Sequence, residues 1–275
     1  TLVLYPAGKT DAAYTIPDGV TEIGWRAFYD CTSLTEVTIP DSVVMGIDGF
    51  MFGFDGCTSL REISVDENNP DYKSVDGVLF SKDMKTLLWY PAEKTDAAYT
   101  IPDGVINIFY WAFSDCAYLT SLTFSSGVRY WDAELLLRNC TSLREINVDE
   151  NNPYYKSVDG VLFSKDMKTL EVYPAGKTDA TYTIPDGVTA IDIGAFNDCT
   201  NLTSVTIPDC VKHLEYSNGI AVFDGCENLT IYCYAGSAAH TYAIDHRIPF
   251  VLLAETGFDP DLDIDEEAGV IRPEA

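Results

Sequence analysis

The chain is poor in positive charge. Seventeen Lys and Arg stand against 43 Asp and Glu in 275 residues, a formal net charge of −26 at pH 7. A surface of that sign repels nucleic acid phosphates and anionic lipid headgroups, so neither is expected as a partner. Long apolar runs are also missing. No stretch approaches the ~18 residues that a membrane-spanning helix needs, and no membrane insertion is expected. Histidine is scarce: His213, His240 and His246 are the only three. None belongs to an HExxH-type metal motif, and solvated surface positions are expected for them. No GxSxG elbow, phosphate-binding glycine loop or CxxC pair occurs. Catalysis requires a cluster of groups with matched roles. None is visible, so no enzymatic activity, catalytic residue, metal or cofactor is expected.

What the chain has in excess is repetition. Val65–Leu87 reads VDENNPDYKSVDGVLFSKDMKTL, and Val148–Leu170 repeats it with one change, Asp71 becoming Tyr154. A second block, YPAGKTDAAYTIPDGV at Tyr5–Val20, returns nearly unchanged at Tyr90–Val105 and Tyr173–Val188. Repetition at this fidelity means an array whose units pack on their neighbours. It moves the expected function from catalysis toward a binding surface.

Short segments with period-two alternation recur through the array: Tyr14-Thr-Ile-Pro17, Val37-Thr-Ile-Pro40, Ile63-Ser-Val-Asp66, Tyr99-Thr-Ile-Pro102, Leu122-Thr-Phe-Ser125, Ile146-Asn-Val-Asp149, Tyr182-Thr-Ile-Pro185, Val205-Thr-Ile-Pro208 and Thr230-Ile-Tyr-Cys233. Alternation predicts strands with one buried face. The frequent terminal Pro stops each strand because it cannot donate to a ladder. From Ile16 to Ile207 the third residues of these strands are 23, 26, 36, 23, 24, 36 and 23 apart. Coil-sized repeats account for most of these intervals. Each 36-residue interval contains the duplicated block, where Gly77–Phe80 and Thr86–Tyr90, and again Gly160–Phe163 and Thr169–Tyr173, predict an inserted β-hairpin. The return segments Ile23–Phe28, Ile108–Phe113 and Ile191–Phe196 carry Ile, Ala and Phe at offsets that suit a short helical turn. Val43–Cys57, Val128–Cys140 and Val211–Cys226 lack that pattern, and their return path is left open. Toward the end, Gly236–Asp245 predicts a helix and Pro249–Leu253 a closing strand, together a cap for the last open core.

Six cysteines (Cys31, Cys57, Cys116, Cys140, Cys199, Cys226) share one register of the coil, as in DCTSL and GCTSL. They are expected to be small buried hydrophobes rather than disulfide partners. Cys210 and Cys233 fall outside that register. The oxygen-rich Asp66-Glu-Asn-Asn-Pro70 and Asp149-Glu-Asn-Asn-Pro153 predict turns ahead of any cation site. The acidic run Asp259–Glu267 lacks the glycine and the terminal bidentate Glu of a calcium loop.

Ile16–Pro40, IPDGVTEIGWRAFYDCTSLTEVTIP, resembles the BspA-type leucine-rich repeats of bacterial surface proteins: an IP-x-x-V strand end, an I-G-x-x-A-F turn and a C-x-x-L entry to the next strand. The DGVLFSKDMKTLLWYPA hairpin and the YAGSAAHTYAIDHRIPF terminus are similar to that family too. The resemblance covers roughly residues 1–253. It implies a secreted or wall-displayed protein that binds a partner or mediates adhesion, and it carries no catalytic residues. The three coils without the I-G-x-x-A-F turn depart from its pattern.

The expected fold is therefore a leucine-rich-repeat solenoid of nine coils over residues 1–253, mostly β strands with short helical or irregular returns. Hairpin inserts fall near 77–90 and 160–173 and a cap near 234–253, followed by an acidic linker or tail at 254–275. Because Thr1–Pro6 aligns with Thr86–Pro91, the chain is expected to be a fragment that begins in mid-repeat. The expected function is non-enzymatic adhesion or recognition of a host or bacterial surface protein or glycan, by a monomer located extracellularly or at the cell surface. A passive spacer presenting a neighbouring domain is the alternative. The outward strand positions, such as Thr35, Glu36, Thr38, Arg61, Glu62 and Ser64, form a polar face with few anchors. The candidate ligand-binding residues are Phe109, Tyr110 and Trp111, where the first super-repeat (three coils and a hairpin) has Gly24-Trp-Arg26, with Tyr130 and Trp131 on the next coil. Exposed rings there would stack on sugars or anchor a protein.

Overall fold

The structure, a computed structural model, describes residues 1–44, 53–130, 137–214 and 221–254. The first super-repeat contains β1 (Ala13–Thr15), β2 (Glu36–Ile39) and β3 (Glu62–Val65), then an insert of β4 (Tyr72–Val75), β5 (Val78–Ser81) and β6 (Thr86–Trp89). The second contains β7 (Ala98–Thr100), β8 (Asn107–Ile108), β9 (Ser121–Phe124) and β10 (Glu145–Val148), then β11 (Tyr155–Val158), β12 (Val161–Ser164) and β13 (Thr169–Val172). The third contains β14 (Thr181–Thr183), β15 (Ala190–Ile191), β16 (Ser204–Thr206), β17 (His213–Leu214), β18 (Thr230–Tyr234), helix α1 (Ala238–Asp245) and β19 (Phe250–Leu253).

All nine alternating segments are strands of one face, and β19 adds a tenth among the described residues. They pair in parallel as three sheets, β1-β2-β3, β7-β9-β10 and β14-β16-β18-β19. The breaks between sheets fall at the two 36-residue intervals. Pairing of Val37 with both Tyr14 and Ile63 keeps the inward residues in one column. A second face is built from shorter rungs. β6 pairs in parallel with β8, β13 with β15, and β15 with β17. Single bridges join Leu2 to Ile23 and Asn107 to Tyr130.

The return segments differ from the sequence reading. The Ile of each motif lies in a short rung, and hydrogen-bonded turns follow it instead of a helix; Ala27 N–H, for example, donates to Gly24 O at 3.0 Å. The Ile, Ala and Phe side chains still point inward, because a succession of tight turns brings offsets 0, +4 and +5 to one side much as a helical turn would. The residue before each repeat-register cysteine adopts a left-handed conformation: Asp30, Gly56, Asp115, Asn139, Asp198 and Gly225 have φ of 55–77°. Only Gly, Asn and Asp enter that region readily, which explains the DC, GC and NC dipeptides. At Gly56 a second constraint applies, since a Cβ would lie 2.1 Å from Asp30 Oδ1 in the coil before it.

The inserts are larger than expected. β4 precedes the anticipated hairpin and pairs antiparallel with β5 through the two-residue Asp76-Gly77 turn, both residues at positive φ. That is the Asp-Gly turn whose twist matches flanking strands. β5 is buried on both faces. Val78 and Phe80 join the core of the second super-repeat, whereas Leu79 joins that of the first, with Leu88 and Trp89 of β6. The second insert repeats the division: Leu162 faces the second core, Val161 and Phe163 the third. Each insert is thus a septum between consecutive cores. This explains the unbroken apolar run Val-Leu-Phe, as a strand buried on both faces loses its alternation.

Aromatic rings stack along the interior of each core. Phe28 lies 5.7 Å from Tyr5 and 5.1 Å from Phe54; Phe196 lies 5.2 Å from Tyr173 and 4.9 Å from Phe223. At the end of the array α1 buries Ala239, Tyr242 and Ala243 into the third core. Ser237 caps the helix by accepting from His240 N–H. The histidines there are structural rather than solvated. His240 packs on Phe250 at 4.9 Å and its Nδ1 accepts from Gly236 N–H, while His246 stacks on Tyr242 at 4.0 Å.

Candidate functional site

The duplicated Asp-Glu-Asn-Asn-Pro segment builds turns. Asp66 Oδ1 accepts from Asn68 N–H at 2.8 Å, and Asn69 is fully buried. The Asn69 amide donates to Pro40 O (2.7 Å) and Val43 O (2.9 Å), and its Oδ1 accepts from Asp71 N–H (3.0 Å) and Tyr72 N–H (2.8 Å). Asn152 makes the same four bonds in the second super-repeat. These oxygens are used internally. Among the described residues no group of three or more His, Cys, Asp or Glu converges as a metal site.

The cysteines form a ladder. Every cysteine among the described residues is a free thiol. The thiols of Cys57, Cys140 and Cys226 donate to the carbonyls of Phe28, Phe113 and Phe196 on the preceding coil at 2.7–3.0 Å. Burial pushes the Cys116 and Cys199 thiols well above the ordinary range. Their thiolate, the reactive form, is correspondingly depleted. Brief treatment of the native protein with iodoacetamide at pH 8, followed by peptide mass mapping, is expected to modify half-exposed Cys210 at least ten-fold faster than Cys116 or Cys199. Equal rates would contradict the buried-ladder assignment.

The polar strand face is outward as expected, and much of it is internally bonded. Thr35 and Thr120 hydroxyls donate to Ala12 O and Ala97 O of the coil before, and Ser121 donates to Glu145 at 2.8 Å.

The aromatic candidates divide. Phe109 and Trp111 are half-buried and pack against the first core, and the Arg138 guanidinium lies over the Trp111 ring at 5.3 Å. Tyr110 and Tyr130 are 43% and 66% exposed. Tyr110 meets Phe109 edge-on at 5.4 Å, while Tyr130 lies on the rung bridged to Asn107. Trp131 is outside the described residues. Phe109, Tyr110 and Trp111 therefore form one group, and no ring contact among the described residues joins Tyr130 to it. A second exposed group was not singled out from the sequence. Trp25 is 62% exposed, and the Arg26 guanidinium lies 4.7 Å from its ring and 4.6 Å from that of Tyr29. The available signal was the Trp-Arg pair at the very offset where the second super-repeat has Tyr110-Trp111. Buried Asp55 lies within electrostatic reach of both Arg26 and Arg138. Burial raises its carboxyl, and the two guanidiniums partly offset that rise.

Parallel strands stacked at 23–26-residue intervals, with a cysteine-and-leucine ladder and exposed side chains on the turns, define a leucine-rich-repeat protein. The chain belongs to the BspA type leucine rich repeat region family, which matches it in six copies across residues 12–85, 97–172 and 177–239. A leucine rich cell surface protein from Faecalibacterium prausnitzii A2-165 is similar in structure: 26% identity, TM-score 0.52, covering 84% of this chain and 62% of that one. A leucine-rich repeat protein from Eubacterium ventriosum is 23% identical, with TM-score 0.47, over 78% of this chain and 64% of that one. The pneumococcal vaccine antigen PcpA is 19% identical, with TM-score 0.49, over 88% of this chain and 68% of that one. The chain thus spans less than two thirds of the length of the first two. No curated protein matches it. Among the described residues no helix is long and apolar enough to cross a membrane.

Proposed function

We propose that this chain is a non-enzymatic recognition module of a secreted or surface-displayed bacterial protein, binding a protein or glycan partner through aromatic side chains on its turns. The observation that carries this reading is the exposure of Tyr110 and Tyr130 in a fold that otherwise stacks many of its rings inside. A ring left at the surface offers a large, rigid contact area that needs little ordering on binding. Membership of a surface-protein repeat family supports the location, as does the similarity to a cell surface protein of a bacterium.

The test is binding of the purified chain to a panel of extracellular-matrix proteins and an array of glycans, beside a Tyr110→Ala/Tyr130→Ala variant. Both positions are exposed, so unfolding of the variant should follow that of the parent. At least one interaction is expected, weakened ten-fold or more in the variant. An interaction that survives intact would move the site away from these rings. Absence of any interaction would favour the spacer role, which the internally bonded strand face also suits.

A further inference from the structure

The return turn of the first coil in each super-repeat can be compared position by position. Trp25, Tyr110 and Ile193 are equivalent, as are Arg26, Trp111 and Gly194. The second set shares a left-handed backbone, with φ of 56°, 64° and 62°. At the first of these positions two successive super-repeats present an exposed aromatic ring, Trp25 and Tyr110, and the third does not. The Arg26 guanidinium lies over the Trp25 ring itself, and Arg138 lies over Trp111, the residue that follows Tyr110. The geometry points to a paired carbohydrate site in which one neutral polysaccharide chain lies along the solenoid and stacks on Trp25 and Tyr110 together. This rests on the recognition role proposed above and names its ligand class.

Three features of the molecule select that class. Flat exposed rings are suited to the apolar faces of sugars, and adjacent guanidinium N–H groups can donate to hydroxyls. The two rings are three coils apart, about 14 Å at ~4.8 Å per stacked strand, which only an extended ligand can bridge. Charge then discriminates among extended ligands. Both guanidiniums lie within electrostatic reach of the buried Asp55 carboxyl, and the chain as a whole carries −26. A polyanionic glycan would be repelled, whereas an uncharged one would not.

The probes are soluble β-glucan, xylan and mannan, each incorporated in a native polyacrylamide gel, together with oligosaccharides of two to eight sugars from whichever polymer retards the chain. Retardation by at least one polymer is expected. Two linked contacts raise affinity well beyond either one, so Trp25→Ala and Tyr110→Ala should each weaken polymer binding ten-fold or more. Binding of a disaccharide, which cannot span the pair, should change less than three-fold in at least one of the two variants. Retardation by none of the polymers would overturn the proposal, as would polymer binding indifferent to Trp25→Ala. A protein partner that depends on Tyr110 and Tyr130 but not on Trp25 would leave the recognition role standing and overturn this one.

Discussion

Replacing Asn69 with alanine is expected to lower the stability of the first super-repeat by about 4 kcal/mol, since it orphans several buried backbone groups at once. The side chain joins three segments: the end of β2 at Pro40, the following turn at Val43, and the entry to β4 at Asp71 and Tyr72. Alanine takes a bond from two carbonyls and two amides around a fully buried side chain, and Pro40 O keeps only the 3.4 Å bond from Val43 N–H. Asn69→Asp should be at least as damaging at pH 7, because a carboxylate can accept from the two amides but faces two carbonyl oxygens with nothing to donate. Urea denaturation measures the loss, and amide hydrogen exchange at Asp71 and Tyr72 locates it. A loss below about 1 kcal/mol would show that the surrounding turns hold without the amide. Asn152→Ala should reproduce the effect one super-repeat later.

The septum predicts a directional result. Phe80→Ala is expected to cost about 3–5 kcal/mol and Leu79→Ala about 2–5 kcal/mol, the range for large-to-small changes in packed cores. The two residues are neighbours in one strand, yet their side chains enter different cores. In a repeat array each unit feels only its neighbours. Hydrogen exchange should therefore accelerate mainly around Phe113 and Leu122 in the Phe80 variant, and mainly around Val37 and Ile63 in the Leu79 variant. The same spread of acceleration in both would mean that the two cores behave as one.

Particular residues show how far the sequence could be read. The nine strands of the main face were legible because one buried face forces alternation, and Pro marks the strand end. The insert was legible only in part. Tyr72–Val75 shows no apolar alternation of its own, and its pairing with β5 is a contact made through the Asp76-Gly77 turn. Helical turns were expected at Ile23–Phe28 because offsets of 0, +4 and +5 are shared by a helix and by consecutive tight turns. The histidines of the C-terminal unit looked solvated because composition does not reveal that a ring packs on Phe250 or Tyr242.

The candidate site was harder still. Phe109, Tyr110 and Trp111 are consecutive aromatics, and sequence does not say which of them faces inward. Packing turns Phe109 and Trp111 toward the first core and leaves Tyr110 outside. By itself the sequence determined the repeat, the strand register and the buried role of the register cysteines other than half-buried Cys226, since these follow from local periodicity and backbone chemistry. Only the tertiary structure decided that the inserts divide the cores, that Asn69 and Asn152 are buried junctions, and that Trp25 stands exposed as Tyr110 does. Those depend on which coil lies beside which, a relation between residues distant in the chain that no local pattern encodes.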